Sequence, residues 1–248
     1  SGEPELVIVL EPRLSALRHR TDCRVFRDQT VPQIVSEILH ENGVGTIHRL
    51  QDSYKVRPYT VMYSESVYDF VHRLLEEEGI FYTFAEWTNP DERPEDSKLS
   101  HGIILGDGPH AYEPIEGSPT IQWRATGALS RSEESVFDVS RAARMRPGKV
   151  TLRDWNLEAP SAPMEVSAEL PRYDQDTVHG PELYTYPGKY ENAGEGQRFA
   201  QLIAEAHAAE SLRIHGSSDT ARLVCGRMIE LVPDDALSQA GAIGEEIT

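Results

Sequence analysis

YTVMYSESVYDFVHRLLEEEGIFYTF, residues Tyr59–Phe84, reads as strand, capped helix, glycine stop and second strand. Tyr59, Val61 and Tyr63 alternate with Thr60, Met62 and Ser64, the period of two that puts one face of a strand inward. Ser66 stands where an N-cap belongs. Its hydroxyl can accept from the Asp69 amide, while Asp69 puts a carboxylate in the first turn, where the helix dipole favours it. Val67, Phe70, Val71, Leu74 and Leu75 share one helical face. Gly79 predicts the left-handed residue that stops the helix, and Ile80–Phe84 restarts as an aromatic strand. Strand, cap, stripe and stop agree, so the rest of the chain is organised around this unit.

Before it, Leu6–Leu10 is a short apolar strand stopped by Pro12, and Arg13–Gln29 is a connecting segment. Thr30 and Gln33 have the spacing of a capping box, with Pro32 in the first turn and Val31, Ile34, Val35, Ile38 and Leu39 as the apolar stripe up to Gly43. Two amphipathic helices with strands on either side predict an α+β unit over about Cys23–Tyr112, its helices covering an antiparallel sheet. Thr88–Lys98 is an acidic, proline-bearing loop, after which Ile103–Leu105 returns as a strand turned by Gly106-Asp107-Gly108. From Thr120 the chain is rich in strands: Val136–Val139, Val150–Trp155, Leu212–His215, Arg222–Cys225 and Met228–Val232, with turns at Gly216–Ser218 and Gly226–Arg227. A third helix over Glu195–Ser211 carries Phe199, Leu202, Ile203 and Ala206 on one face.

At 248 residues the chain holds one large or two small domains, with 39% hydrophobic residues to build their cores. Its net charge of −17 argues against nucleic acid and anionic lipid, both of which need a basic footprint. No apolar run approaches the roughly 20 residues of a membrane span. Glu3–Leu10 has neither the basic start nor the cleavage site of a secretory signal. Cys23 and Cys225 read as two buried thiols of a protein folded in a reducing cytoplasm.

Chemistry-bearing patterns are weak. Successive helical residues point about 100° apart, so Glu76, Glu77 and Glu78 cannot converge on one substrate atom and read as a solvated helix end. Glu77 with Arg73 is an ion pair at helical spacing. The nine histidines form no helical metal pair, and no serine lies in a nucleophile elbow. Gly194-Glu195-Gly196 reads as a turn, because Glu195 opposes an anion there. Tyr59, Tyr63, Phe81, Tyr82, Phe84 and Trp87 read as core and interface on one sheet, without the basic residues of a base-stacking platform. Tyr184, Tyr186 and Tyr190, around Pro187-Gly188, together with Trp155, are the interface candidates: amphipathic rings suit a contact that is dry on one side and wet on the other. No catalytic residue, metal site or cofactor is assigned.

The motif SES-x-x-DF-x-x-RLLEEEGIFYTF, Ser64–Phe84, closely resembles the signature of the VgrG family, the trimeric spike proteins of the bacterial type VI secretion system, whose fold is shared by phage baseplate hubs. Three further blocks resemble that family in the same order: Cys23–Phe26, VTLRDWNLEAPS at Val150–Ser161, and LYTYPGKY at Leu183–Tyr190. The resemblance implies an α+β, β-rich fold: an antiparallel β-barrel with an inserted α+β unit, phage baseplate hub-like. Residues 1–20 would be the remnant of a first β-barrel and connector, and 21–119 the inserted α+β domain. Residues 120–160 and 212–233 would form a second barrel, 161–211 an insertion with the long helix, and 234–248 a flexible tail. The implied function is structural: a homotrimer that caps a hexameric tube and supports a puncturing needle during contractile effector delivery. The implied partners are a second and third copy, the hexameric tube protein, and spike-tip and effector proteins bound through a C-terminal part absent from this sequence. Assembly in the bacterial cytoplasm would precede secretion by the type VI system without a signal peptide. A phage or prophage tail hub is the nearest alternative, a baseplate-associated cell-wall hydrolase a more distant one, and a free-standing ligand-binding α+β protein the last.

Overall fold

Tyr59–Phe84 folds as its sequence reads. The computed structural model describes residues 8–86, 101–124, 134–157, 160–171 and 179–233, in two units, Ser1–Glu113 and Pro114–Thr248. The first contains strand β1 (Thr21–Gln29), helix α1 (Val31–Glu41), β2 (Gly45–Arg49), β3 (Arg57–Ser66), α2 (Val67–Glu78), β4 (Phe81–Glu86) and β5 (His101–Gly106). Ser66 Oγ accepts from the Asp69 amide at 3.0 Å, and Gly79 takes the left-handed conformation at φ 69° that a Cβ would disfavour. At α1 the Thr30 amide donates to Gln33 Oε1 at 2.8 Å. Both predicted stripes are buried, and Phe26 of β1 stacks on Phe70 of α2 with centroids 5.7 Å apart.

The sheet under these helices is not one antiparallel sheet. β1 and β3 form an antiparallel ribbon, while β2, β5 and β4 form a second sheet in which β2 and β5 run parallel. β3, α2 and β4 intervene in the chain between β2 and β5, so β5 reaches β2 as a crossover while it pairs antiparallel with its predecessor β4. The aromatic group read as one cluster is therefore divided: Tyr59 and Tyr63 lie on the ribbon, and Phe81, Tyr82 and Phe84 on β4. Trp87 and the Thr88–Lys98 loop lie outside the described residues.

Other local readings are corrected. Arg13–Gln29 is not a bare connector: Arg13–His19 is a 3-10 turn that buries Leu14 and Leu17, and the rest is β1. Ile8, Val9 and Leu10 are exposed and outside any strand. Cys23 and Cys225 are both exposed thiols. Cys23 sits beside a bulge on the outward face of β1, and Cys225 lies in the chain before Arg227, where no strand buries it. The acidic end of α2 is only partly solvated, because Glu78 is buried and pairs with Arg57 at 2.7 Å. Arg57 also pairs with Glu77 at 2.7 Å, and Glu77 meets Arg73 at 3.3 Å as its spacing predicts. Burial opposes the Arg57 charge, but the bonds to Glu77 and Glu78 outweigh it and raise the guanidinium pKa above its ordinary value.

In the second unit, β6 (Thr120–Trp123), β7 (Ser135–Ala143), β8 (Lys149–Arg153), β9 (Glu165–Glu169), β10 (Leu183–Thr185), α3 (Ala193–Ala209), β11 (Leu212–Ser218) and β12 (Glu230–Pro233) follow in order. They make two sheets, β9-β8-β10 and β11-β7-β6-β12. Each has two edges, so among the described residues neither closes into a barrel; the molecule is a strand-rich mixed α/β protein. Gly216–Ser218 continues β11 through a bulge and is not a turn, while Arg222–Cys225 is not a strand. The tail from residue 234 lies outside the described residues.

Helix α3 covers β9-β8-β10 with a face that shares Phe199 and Ile203 with the predicted one but is centred on smaller residues. Gly196, Ala200, Ala204 and Ala208 are buried, Phe199 and Ile203 flank them, and Ala206 is exposed. Small side chains bring the helix close: a Cβ on Gly196 would stand 2.7 Å from the Tyr190 ring. Asn192 caps the helix at Glu195, whose carboxylate accepts the Glu191 amide, so Gly194-Glu195-Gly196 is a self-capped helix start.

Candidate interface surfaces

The first surface is the ribbon. Cross-strand pairing places Cys23 opposite Tyr63, Val25 opposite Val61 and Arg27 opposite Tyr59, all on one face. The other face carries Phe26, Thr60 and Met62, which are buried against α1 and α2. Helix packing thus claims the Met62 side of β3 and leaves the tyrosine side in solvent: Tyr63 is 78% exposed, Tyr59 69%, Val25 57% and Val61 40%. Four large apolar side chains thus lie exposed on one contiguous sheet face. The alternation of β3 was legible in the sequence. That its more aromatic side faces outward was not, because both sides carry apolar groups.

The second surface is an open cleft of about 620 Å³ lined by Arg153, Asp154, Trp155, Pro160, Ala162, Pro163, Met164, Tyr184 and Tyr186. Three of the four interface candidates meet here, Trp155, Tyr184 and Tyr186, each more than half exposed. Asp154 builds the wall: its Oδ1 accepts the Trp155 amide at 2.7 Å and its Oδ2 the Lys189 amide at 2.5 Å. The Gly188 amide donates to the Arg153 carbonyl at 2.8 Å, which holds the YPGKY segment back against the end of β8; the Tyr186–Pro187 bond is cis. Tyr184 sits on β10 opposite Thr151, on the sheet face away from α3.

Tyr190 does not belong to this surface. It is buried beneath α3, with its hydroxyl donating to the Met164 carbonyl at 2.5 Å and lying 3.2 Å from that of Leu152. Burial, assisted by nearby Asp154, pushes its phenol pKa up. The sequence placed it with its exposed neighbours because all three tyrosines lie within seven positions; only the docking of α3 separates them. The cleft residues Arg153, Pro160, Ala162, Pro163 and Met164 carry no sequence signal for a shared site.

Asp154 has both oxygens engaged by backbone amides and is the cleft's one carboxylate among the described residues. Ser36 Oγ does lie 2.7 Å from His48 Nε2, with the Thr46 hydroxyl donating to the same serine. Burial lowers the His48 pKa, and the trio ties α1 to β2 as a polar contact. No group of three or more His, Cys, Asp or Glu gathers at metal-binding distance among the described residues. No described helix is long and apolar enough to cross a membrane.

The chain is similar to spike proteins of the type VI secretion system of Pseudomonas aeruginosa. It is 29% identical to VgrG1c over 208 residues, 84% of this chain and 27% of that protein, and 32% identical to VgrG4b over 227 residues, 90% and 26% respectively. It spans about a quarter of the length of these curated relatives. Among solved structures, its fold matches the E. coli protein c3393, a type VI secretion component similar to the phage T4 tail proteins gp27 and gp5. That match has a TM-score of 0.57 and 22% identity, over 91% of this chain and 45% of that one. A 43 kDa tail protein of prophage MuSo2 from Shewanella oneidensis matches at a TM-score of 0.54 and 12% identity, over 94% and 64%. With the family model for the phage tail baseplate hub (GPD) matching residues 2–241, the chain belongs to that hub family.

Proposed function

We propose that this chain is the hub, or head, region of a type VI secretion spike and acts by shape, not by making or breaking bonds. The observation that carries this reading is the outer face of the β1–β3 ribbon, apolar and exposed in a single copy. A hub surface buried only on assembly has this character. In the assembled spike the chain is one third of a homotrimer. In the full-length protein each copy supplies two related barrels, of which this chain carries only part, so the ring presents six nearly equivalent contacts to a hexameric tube beneath it and carries the needle above. Trp155, Tyr184 and Tyr186 are contact residues of the same assembly, and spike-tip and effector proteins engage parts beyond this chain. The protein assembles in the bacterial cytoplasm and leaves through its own secretion system.

The test is to place Val61→Asp with Tyr63→Asp in a spike carrying this region and to measure its mass by light scattering, its co-sedimentation with the tube protein and effector delivery. Loss of the trimer and of tube binding is the expected result. A double variant that still trimerises, caps tubes and delivers effector overturns the reading. The 248-residue chain alone is expected to be monomeric or weakly associated, and a tight trimer at micromolar concentration contradicts that. The prophage tail match supports a phage tail hub as the second reading; capsid genes beside this one, in place of sheath and ATPase genes, would select it.

A further inference from the structure

The Trp155–Tyr186 cleft joins exposed aromatic faces to hydrogen-bonding groups that lack partners among the described residues. Arg153 has no carboxylate within ion-pair distance among the described residues, although the chain carries a net −17. The Trp155 indole N–H and the Tyr184 and Tyr186 hydroxyls make no hydrogen bond to any described residue. Asp154, the one acid among the described lining residues, accepts the Trp155 and Lys189 amides. Between these polar tips lie flat aromatic faces and the apolar surface of Met164, Ala162, Pro160 and Pro163. The matching ligand offers carbonyl oxygens, rigid apolar rings and one negative charge.

We infer that this cleft docks an extended, proline-rich segment of a partner protein that carries an acidic residue. In the polyproline II conformation the backbone carbonyls are free of internal hydrogen bonds, and proline has no N–H to satisfy. Pyrrolidine rings pack on the Trp155, Tyr184 and Tyr186 faces, the indole and phenol groups donate to carbonyls, and Arg153 takes the carboxylate. Strand addition is the poorer mode here. The outer edge strand β10 is only three residues long and runs into Pro187, which cannot donate. A sugar would stack on the same rings and hydrogen-bond to the tyrosine hydroxyls, but it would set hydroxyls against the apolar Met164, Ala162, Pro160 and Pro163 surface that pyrrolidine rings cover.

This docking role rests on the cleft being a contact surface, as assigned above, but not on trimer formation, so the two can fail separately. The probe is a dye-labelled synthetic decapeptide of prolines with one central aspartate, titrated against the full 248-residue chain by fluorescence anisotropy. Saturable binding is expected, with Trp155→Ala or Tyr186→Ala abolishing it and Arg153→Gln weakening it about tenfold, the scale of one charge-assisted hydrogen bond. A peptide with lysine in place of the aspartate should bind more weakly to the natural chain, and Arg153→Gln should erase that difference. Circular dichroism melts of each variant establish that the fold is kept. Binding that ignores the three substitutions overturns the inference, as does no saturation at millimolar peptide. Tighter binding of a chito-oligosaccharide than of the peptide also overturns it. Loss of peptide binding with trimer and tube capping intact leaves the hub reading standing.

Discussion

Helices α2 and α3 are both capped, both cover a sheet, and differ in what they bury. α2 inserts Phe70, Leu74 and Leu75 between ribbon and sheet, whereas α3 lays Gly196, Ala200, Ala204 and Ala208 flat on β8 and β9. The first builds a core from large side chains that gain from leaving water. The second achieves contact through close backbone approach, with Tyr190 filling the space that alanines leave. A helix that buries large residues announces its inner face, and one that buries small residues conceals it.

Substitutions can break this contrast. Phe70→Ala should cost about 3–5 kcal/mol, a cavity in the first unit's core, read by chemical denaturation. Gly196→Val forces a Cβ into the Tyr190 ring and should cost about 1–3 kcal/mol, while Ala206→Leu, on the exposed side, should leave stability unchanged within about 0.5 kcal/mol. If Ala206→Leu proves the more harmful, α3 buries the face its sequence suggests and the contrast is void.

Acid sharpens the comparison. Burial opposes ionisation of Asp107, yet the Asp52 and Gln51 amides and the Tyr54 hydroxyl, at 2.8 to 2.9 Å, outweigh it and hold its pKa below the usual carboxylate value, with His110 assisting. A depressed folded-state pKa contributes stability above the unfolded value near 3.8 that is lost as pH falls through the folded one. The first unit should therefore lose stability below about pH 4, and Asp107→Asn should flatten that slope in denaturation measured across the acid range. The smallest effect belongs to the ribbon's outer face. Tyr63→Ser should shift the unfolding of the single chain by less than about 0.5 kcal/mol, because a side chain already in solvent has little burial to lose.

How much of this was legible depends on the range of the forces. Thr30, Ser66, Gly79, and the stripes of α1 and α2 were read correctly, because caps and helical periodicity act within a few residues. The Arg73–Glu77 pair was legible for the same reason; Arg57–Glu78, twenty-one positions apart, was not. Trp155, Tyr184 and Tyr186 were nominated from residue chemistry alone. Their meeting in one cleft, and the removal of Tyr190 from it, required the packing of α3.

The sequence by itself determined where α1 and α2 start and stop and which side of α2 is inside, since a stripe of large apolar residues faces polar ones and has one way to hide. Only the tertiary structure decided which face of β3 is buried, which face of α3 packs, and that β2 and β5 run parallel. In each case the local chain offers two alternatives of similar polarity, and the choice falls to elements distant in sequence that cover one side and leave the other in water.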